Sequence, residues 1–181
     1  MPLSEADLTQ KLRAIRLVSF DVDGVLTDGS ITFSESGEVF RTFNVKDGLG
    51  LQRLQDSGVV VAIISAGTTT SITERFTRLG IKHVHIGVLD KLQKLKDLAA
   101  EYDVPLEACA HMGDDLNDLK LMRATGLGIA PQDAVDAVLA EAEWIVPKNG
   151  GRAAARHVSD RLIALQADQE EAAGTVGHLE T

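Results

Sequence analysis

Six short apolar runs, separated by stretches of helical period, leave this chain few ways to fold. The runs are Leu17-Val-Ser-Phe20 entering Asp21, Val59-Val-Val-Ala-Ile-Ile64 ending in Ser65, Lys82 to Ile86, Ala108 to Met112, Leu127 to Ala130 and Glu143 to Val146. Between and after them, helices are predicted from Asp47 to Asp56 (stopped by Gly58), Thr69 to Leu79 (stopped by Gly80), Lys91 to Tyr102, about 115 to 124, 133 to 141, and Arg152 to Gln166. Leu92, Leu95, Leu98 and Ala99 share one face of the third, which is the helical period. A further helix over Ser4 to Ile15 opens on a capping-box pattern, Ser4 with Asp7. Strands that alternate with helices are joined by crossovers, so they lie parallel with helices on both faces. The expected fold is therefore α/β, a Rossmann-like doubly wound parallel sheet. One segment breaks the alternation. Ile31-Thr-Phe33 and Val39-Phe-Arg-Thr-Phe43 flank Ser34-Glu-Ser-Gly-Glu38, a hairpin signal, so a β-hairpin is expected at about 30–43. The length suits one core, a single domain over 1–166. The polar, glycine-containing stretch 167–181 is expected to be a flexible C-terminal tail.

A doubly wound sheet takes its ligands outside the carboxyl ends of its strands, near the point where strand order reverses. Asp21, Ser65 and Asp114 all stand at such ends. The first is part of Asp21-Val-Asp-Gly-Val-Leu-Thr-Asp-Gly29. Alternation points Asp21 and Asp23 the same way as the chain leaves the sheet. Aspartates and glycines also make ordinary turns. An acid pair closing a buried strand, however, is costly without a purpose. Two carboxylates delivered into a glycine loop are suited to hold a divalent cation and attack a phosphate. Gly113-Asp-Asp-Leu-Asn-Asp118 adds more carboxylates after the fourth run, and Lys91 opens an amphipathic segment after Gly87. Plainer readings stand beside these. Ser65 can cap a helix, Lys91 can be a solvated helix residue, and Asp115 and Asp118 can complement a helix N-terminus. Asp28 can serve its turn alone. The five histidines show no ligand-like spacing.

Taken in order, Asp-x-Asp, a strand-terminal Ser, a Lys and Gly-Asp-Asp-x-x-Asp resemble the haloacid dehalogenase superfamily of phosphohydrolases, over roughly residues 15 to 165. The resemblance implies that Asp21 is a nucleophile forming an aspartyl-phosphate, and that Asp23 protonates the leaving alcohol and then activates water. It implies Mg2+ held by Asp21, the backbone carbonyl of Asp23, and Asp114. Ser65 would donate to the phosphoryl group and Lys91 would offset charge on Asp21 and the phosphate. Asp115, Asn117 and Asp118 would orient the loop, the metal waters or Lys91. Members of the superfamily usually carry a cap domain, and the short spacings here leave room for none. In its place stands a hairpin whose Ile31, Phe33, Val39, Phe40 and Phe43 would expose apolar surface and unpaired edges if left alone. Association of several hairpins would cover both, and a neighbouring subunit could then close the site.

Phe43-Asn-Val-Lys-Asp-Gly48 and Gly150-Gly-Arg152, added to those motifs, narrow the resemblance to the capless family that dephosphorylates 3-deoxy-D-manno-octulosonate 8-phosphate, a lipopolysaccharide precursor. It implies a homotetramer and a phosphorylated sugar acid as substrate. It also places Thr27, Asp28, Lys46, Asp47, Gly48 and Arg152 near substrate or the subunit boundary. The family pattern has Gly-Arg after the serine. Here Ser65 is followed by Ala66-Gly67, and no arginine appears again before Arg75. Arg75, Arg152 or a neighbouring subunit are the candidates to supply that charge. The alternatives are a phosphatase of a nonulosonic acid 9-phosphate and a non-catalytic oligomeric binding module of the same fold. A phosphomutase normally needs the missing cap.

A net charge of -9 argues against a nucleic-acid surface, and requires the site to be made locally positive. No apolar run approaches membrane-spanning length, no signal peptide is recognised, and Cys109 is the sole cysteine. A cytoplasmic protein without membrane or nucleic-acid partners is expected.

Overall fold

The computed structural model describes residues 3–176. The chain runs α1 (Glu5–Ala14), β1 (Leu17–Phe20), β2 (Thr32–Phe33), β3 (Val39–Phe40), α2 (Val45–Asp56), β4 (Val60–Ile64), α3 (Thr70–Arg78) and β5 (His83–His85). It continues through α4 (Lys91–Glu101), a 3-10 turn (Leu106–Ala108), β6 (Cys109–Met112), α5 (Leu116–Ala124), β7 (Leu127–Pro131), α6 (Asp136–Glu141), β8 (Trp144–Val146) and α7 (Ala154–Val176). Six strands form one parallel sheet in the order β5-β4-β1-β6-β7-β8. The chain leaves β1 to build one side through β4 and β5, then returns to β6 and builds the other. The reversal falls between β1 and β6, so their carboxyl ends splay apart and open a crevice.

Strand alternation divides the core in two. Val18 and Phe20 of β1, with Val61 and Ile63 of β4 and Ala110 and Met112 of β6, pack on Leu12, Leu51, Leu54, Phe76, Val158 and Leu162 from α1, α2, α3 and α7. Leu17, Ala62, Ile64 and Cys109 face the other way, onto Leu95 and Leu98 of α4 and Leu121 of α5. By the same period Ser19 and His111 belong to this second face. Both are completely buried, and they place polar groups inside an apolar layer directly below the crevice.

The β2–β3 hairpin is a separate two-stranded sheet with Thr32 paired to Phe40 and Phe33 to Val39. Phe33 and Phe40 are 67% and 53% exposed, as an unpartnered hairpin requires. Phe43 departs from that expectation, because its ring stands edge-on to Phe76 in the chain's own core. Several bounds differ from the sequence readings: β3 ends at Phe40 rather than 43, and α2 starts at Val45 rather than 47. α6 starts at Asp136 rather than 133, because residues after Pro131 are tied elsewhere: Gln132 N donates to the Lys148 carbonyl and Val135 N to the Asp114 carbonyl. α7 runs to Val176, past the expected end near Gln166, so the tail expected to be flexible begins as helix. Polarity there was the wrong signal, since the Ala, Gln and Glu of this stretch are good helix formers. Residues 177–181 of the expected tail lie outside the described residues.

Candidate active site

The end of β1 shapes the first loop. Asp21 N donates to Met112 O (3.0 Å), which extends the β1–β6 ladder by one residue. The Val22 carbonyl then accepts from the amides of Val25, Leu26 and Thr27, a tight coil. Gly24 has φ +85°, a conformation open to glycine, and a Cβ there would overlap the Asp114 carboxylate. The second acidic motif therefore lies directly against the first. Behind the loop, Gly151 N donates to Val25 O (2.9 Å), and a Cβ on Gly150 would collide with the Gly24 carbonyl. The Gly150-Gly151 pair is a brace for the loop.

Asp21 is 5% exposed. Its Oδ1 accepts from Val22 N (2.7 Å) and its Oδ2 from Lys91 Nζ (2.7 Å). Lys91, the first residue of α4, is 3% exposed and also bonds Asp118 Oδ1 (2.6 Å). Asp118 Oδ1 further meets His111 Nε2 (3.0 Å), and His111 Nδ1 meets Ser19 Oγ (2.8 Å). An ionised carboxylate only accepts, so His111 Nε2 carries a proton toward Asp118, while the direction of the Ser19–Nδ1 bond depends on whether Nδ1 also carries one. Asp118 Oδ2 takes the amides of Asp114 (3.2 Å) and Asp115 (3.4 Å). With the Asp115 side chain it forms a capping box at the start of α5. Asp118 is thus both helix cap and charge partner.

Burial would raise the Asp118 carboxyl, but the hydrogen bond and charge of His111, with those of Lys91, hold it well below the usual range. Burial also opposes the charge on Lys91, yet Asp21 and Asp118 together keep its ammonium above the ordinary value. Asp21 is raised, by burial first and by Asp118 second, against the pull of Lys91. Asp114 is pushed up to about 7 by burial and by Asp21, Asp118 and Asp115.

Asp114 Oδ1 is buried and has no hydrogen-bond partner among the described residues. Asp21, Asp114 and Asp118 offer oxygens that lie within 4.8 Å of one another. Each Asp118 oxygen already takes two protein donors, whereas each Asp21 oxygen takes one. Asp21 and Asp114 are the carboxylates left to face a cation. The Asp23 carbonyl accepts no backbone hydrogen bond among the described residues, so it is available to join them. An all-oxygen set of this kind suits Mg2+, which favours carboxylates and retained waters.

These groups line a small cavity of about 140 Å³, together with Ser65, Ala66, Gly67, Asp115 and Asn117. Ser65, at the end of β4, is buried, and its Oγ accepts from Gly67 N (3.1 Å). The hydroxyl proton therefore remains to be donated. Asp21, Asp23, Ser65, Lys91 and Asp114 are brought together as the sequence suggested.

The expected substrate contacts lie outside this cavity. Thr27 is buried and its Oγ1 accepts from Gly29 N (3.2 Å), inside the loop. Asp47 is 2% exposed and accepts from Ala153 N (3.2 Å) and Arg156 N (2.9 Å), capping α7 from a neighbouring helix. Gly48 is buried beside Arg75, whose guanidinium a Cβ would meet at 2.6 Å. Lys46 is exposed in the first turn of α2, and Arg152 is exposed and pairs with Asp28 (3.4 Å). None of the five lines the cavity.

Two residues were missed from the sequence. His111 is one, and a polar residue inside the buried run Ala108 to Met112 was the available signal. Arg41 is the other. It follows β3, and its guanidinium forks onto Asp23 through Nε–Oδ1 (2.6 Å) and Nη2–Oδ2 (2.9 Å), while Nη1 donates to Thr69 Oγ1. The hydrogen bond to Asp23 keeps this guanidinium protonated still more firmly than usual, against its burial. Neither Arg75 nor Arg152 lines the cavity beside the gap left after Ser65. Arg41 reaches that gap: a Cβ on Gly67 would lie 3.4 Å from its Nη2. No local signal in the hairpin sequence indicates that fold-back.

A family profile described as haloacid dehalogenase-like hydrolase matches residues 80–156. The 3-deoxy-D-manno-octulosonate 8-phosphate phosphatase of Escherichia coli K12 is 38% identical over 169 residues, covering 93% of this chain and 90% of that protein. The crystal structure of the enzyme of that name from Yersinia pestis superposes with a TM-score of 0.87 at 38% identity, over 91% of this chain and 89% of the other. The one from Moraxella catarrhalis, a complex with magnesium, phosphate and the sugar acid, gives a TM-score of 0.88 at 36% identity, over 96% and 99% of the two chains.

Proposed function

This chain belongs to the 3-deoxy-D-manno-octulosonate 8-phosphate phosphatase family of haloacid dehalogenase-like hydrolases, and from that premise we propose how its own residues carry out the hydrolysis. The activity is that of a Mg2+-dependent phosphoric monoester hydrolase acting on the 8-phosphate of the octulosonate, a step in lipopolysaccharide precursor synthesis. The observation that carries the assignment of roles is the buried Asp21–Lys91–Asp118 array beside the unpartnered Asp114 oxygen.

Asp21 is the nucleophile. Lys91 fixes one of its oxygens and the Val22 amide the other, so the carboxylate is held in one orientation toward the crevice. Its attack on phosphorus forms an aspartyl-phosphate and expels the sugar alkoxide. Asp23 gives that alkoxide a proton and then takes one from the water that cleaves the acyl-phosphate. Ser65 donates its hydroxyl to a non-bridging phosphoryl oxygen, and the Lys91 charge opposes the charge gathering there. Mg2+, held by Asp21, Asp114 and the Asp23 carbonyl, neutralises the repulsion between carboxylates and phosphate when it is bound. Asp118, oriented by His111 and the α5 amides, keeps Lys91 in place, and Asp115 and Asn117 border the phosphoryl end.

A cavity of about 140 Å³ accommodates a phosphoryl group and a cation. It is well short of the roughly 300 Å³ or more of a small-molecule pocket. The sugar must therefore lie outside it, under a cover. We propose that this cover comes from a homotetramer joined through the hairpins, whose Ile31, Phe33 and Phe40 are exposed. Among the described residues no helix is long and apolar enough to cross a membrane. The single buried thiol of Cys109 fits a reducing compartment, and we place the enzyme in the cytoplasm.

The test is phosphate release from octulosonate 8-phosphate by EDTA-treated protein with and without added Mg2+. Turnover restored by Mg2+ is expected. Full turnover in EDTA overturns the metal assignment, and no turnover with Mg2+ overturns the substrate.

A further inference from the structure

We propose that Arg41 is a specificity-determining residue. Its guanidinium clamps Asp23 and transfers to the carboxylate of an incoming sugar acid, so that only a carboxylated phosphate ester efficiently frees the general acid. The proposal rests on the function stated above and deepens it.

The geometry is unusual for a residue on an exposed arm. Phe40, immediately before Arg41, is 53% exposed, yet the Arg41 side chain is only 4% exposed. Three of its donor nitrogens are engaged, two by Asp23 and one by the Thr69 hydroxyl. The Asp23 contact is a fork, one donor to each carboxylate oxygen. A fork is the arrangement in which a guanidinium recognises any carboxylate, and a second carboxylate can replace the first without loss of geometry.

That fork conflicts with the chemistry assigned to Asp23. A general acid must turn a protonated oxygen toward the leaving group, and here a guanidinium N–H donates to each oxygen in fork geometry and competes with that arrangement. Transfer of Arg41 to another carboxylate removes the competition. The other cation in the crevice is not available for exchange, because Lys91 is buried at 3% exposure between Asp21 and Asp118. Arg41 directly follows a hairpin that is hydrogen-bonded to no strand of the main sheet. Gly67 leaves the space beside it open: a Cβ there would already stand 3.4 Å from Nη2, and a longer side chain would crowd the guanidinium. The phosphoryl group occupies the cavity floor at Ser65 and Asp21. The substrate carboxylate, at the other end of the sugar acid, is the remaining anion able to meet the guanidinium.

The experiment compares the wild type with Arg41→Gln and Arg41→Lys on four esters. Two carry a carboxylate: octulosonate 8-phosphate and a nonulosonate 9-phosphate. Two do not: arabinose 5-phosphate and p-nitrophenyl phosphate. Arg41→Gln is expected to lower kcat/KM for the carboxylated esters by on the order of 10- to 100-fold, chiefly through KM, the effect of losing a charged hydrogen-bond partner. With the carboxylate-free esters its kcat should hold or rise, because Asp23 is no longer clamped. Arg41→Lys should recover part of the carboxylate preference as a point charge without the fork. Equal losses on all four esters would mean that Arg41 only positions Asp23, and the proposal fails. No change on any ester also refutes it. Should the wild type turn over another carboxylated ester but not octulosonate 8-phosphate, the substrate assignment falls, while the dependence on Arg41 across carboxylated and neutral esters still decides this proposal. Equal thermal midpoints for the three proteins check that folding is not the cause.

Discussion

Lys91→Met tests the electrostatic logic of the site apart from its chemistry. Methionine keeps most of the length and apolar stem of lysine, so little volume is lost. What it removes is the only ammonium between two buried carboxylates, at 2.7 Å from Asp21 and 2.6 Å from Asp118. Breaking a buried pair by deleting one partner costs about 3–5 kcal/mol, a large part of the roughly 5–15 kcal/mol that holds a domain together. For a chain of this size each kcal/mol moves the midpoint by about 2–4 °C, so Tm should fall by roughly 6–20 °C at pH 8. The pH dependence identifies the cause. In the wild type Asp118 lies below its usual range, so its contribution is present at neutral pH and lost as pH falls through the folded-state value. In the variant Asp21 loses the cation that opposes burial and Asp118, so it is raised further, while Asp118 keeps His111 but loses part of what holds it down. An acid raised in the folded state favours folding at low pH, and that benefit disappears as pH rises above the unfolded value near 4. The gap between variant and wild type should therefore be clearly wider at pH 8 than at pH 5. Calorimetry in EDTA at the two pH values measures it. A gap below about 2 °C at pH 8, or an equal gap at both, would refute the reasoning, the latter by pointing to packing alone.

Gly24→Ala places a methyl group on the Asp114 carboxylate and strains a φ of +85°, so turnover should collapse and Mg2+ bind weakly while circular dichroism shows an intact fold. Asp21→Asn should abolish turnover, since an amide forms no acyl-phosphate, and near-wild-type rates would mean another nucleophile; Asp23→Asn should be severely impaired in the same phosphate-release assay. His111→Phe keeps an aromatic ring but removes one hydrogen bond from each of Ser19 and Asp118, and should cost about 1–3 kcal/mol by chemical denaturation together with a lower kcat. Lysines at Phe33 and Val39 together should shift light scattering from a tetramer to smaller species, and a wild-type monomer at micromolar concentration would refute the hairpin assembly.

The sequence by itself determined the parallel sheet, the position of the crevice and which carboxylates stand at its edge. These follow from local facts. Period-2 and period-3.6 apolar patterns specify strands and helices within a few residues, and strand ends carry Asp21, Ser65 and Asp114 to one edge whatever the details of packing. The stop of α7 was misread because a polar stretch can be helical when its residues have the propensity, and polarity does not report that. The remaining decisions belonged to tertiary structure, because they pair residues distant in sequence. Ser19, His111, Asp118 and Lys91 form one buried chain only because β1, β6, α4 and α5 share a face of the sheet. Asp47 looked like a site residue in its motif and serves as a cap for α7, 106 residues away. The arginine absent after Ser65 is matched by Arg41 from the hairpin, a contact that no periodicity encodes. A linear pattern fixes which way a side chain leaves its own element, while the partner it meets depends on how separate elements pack in space.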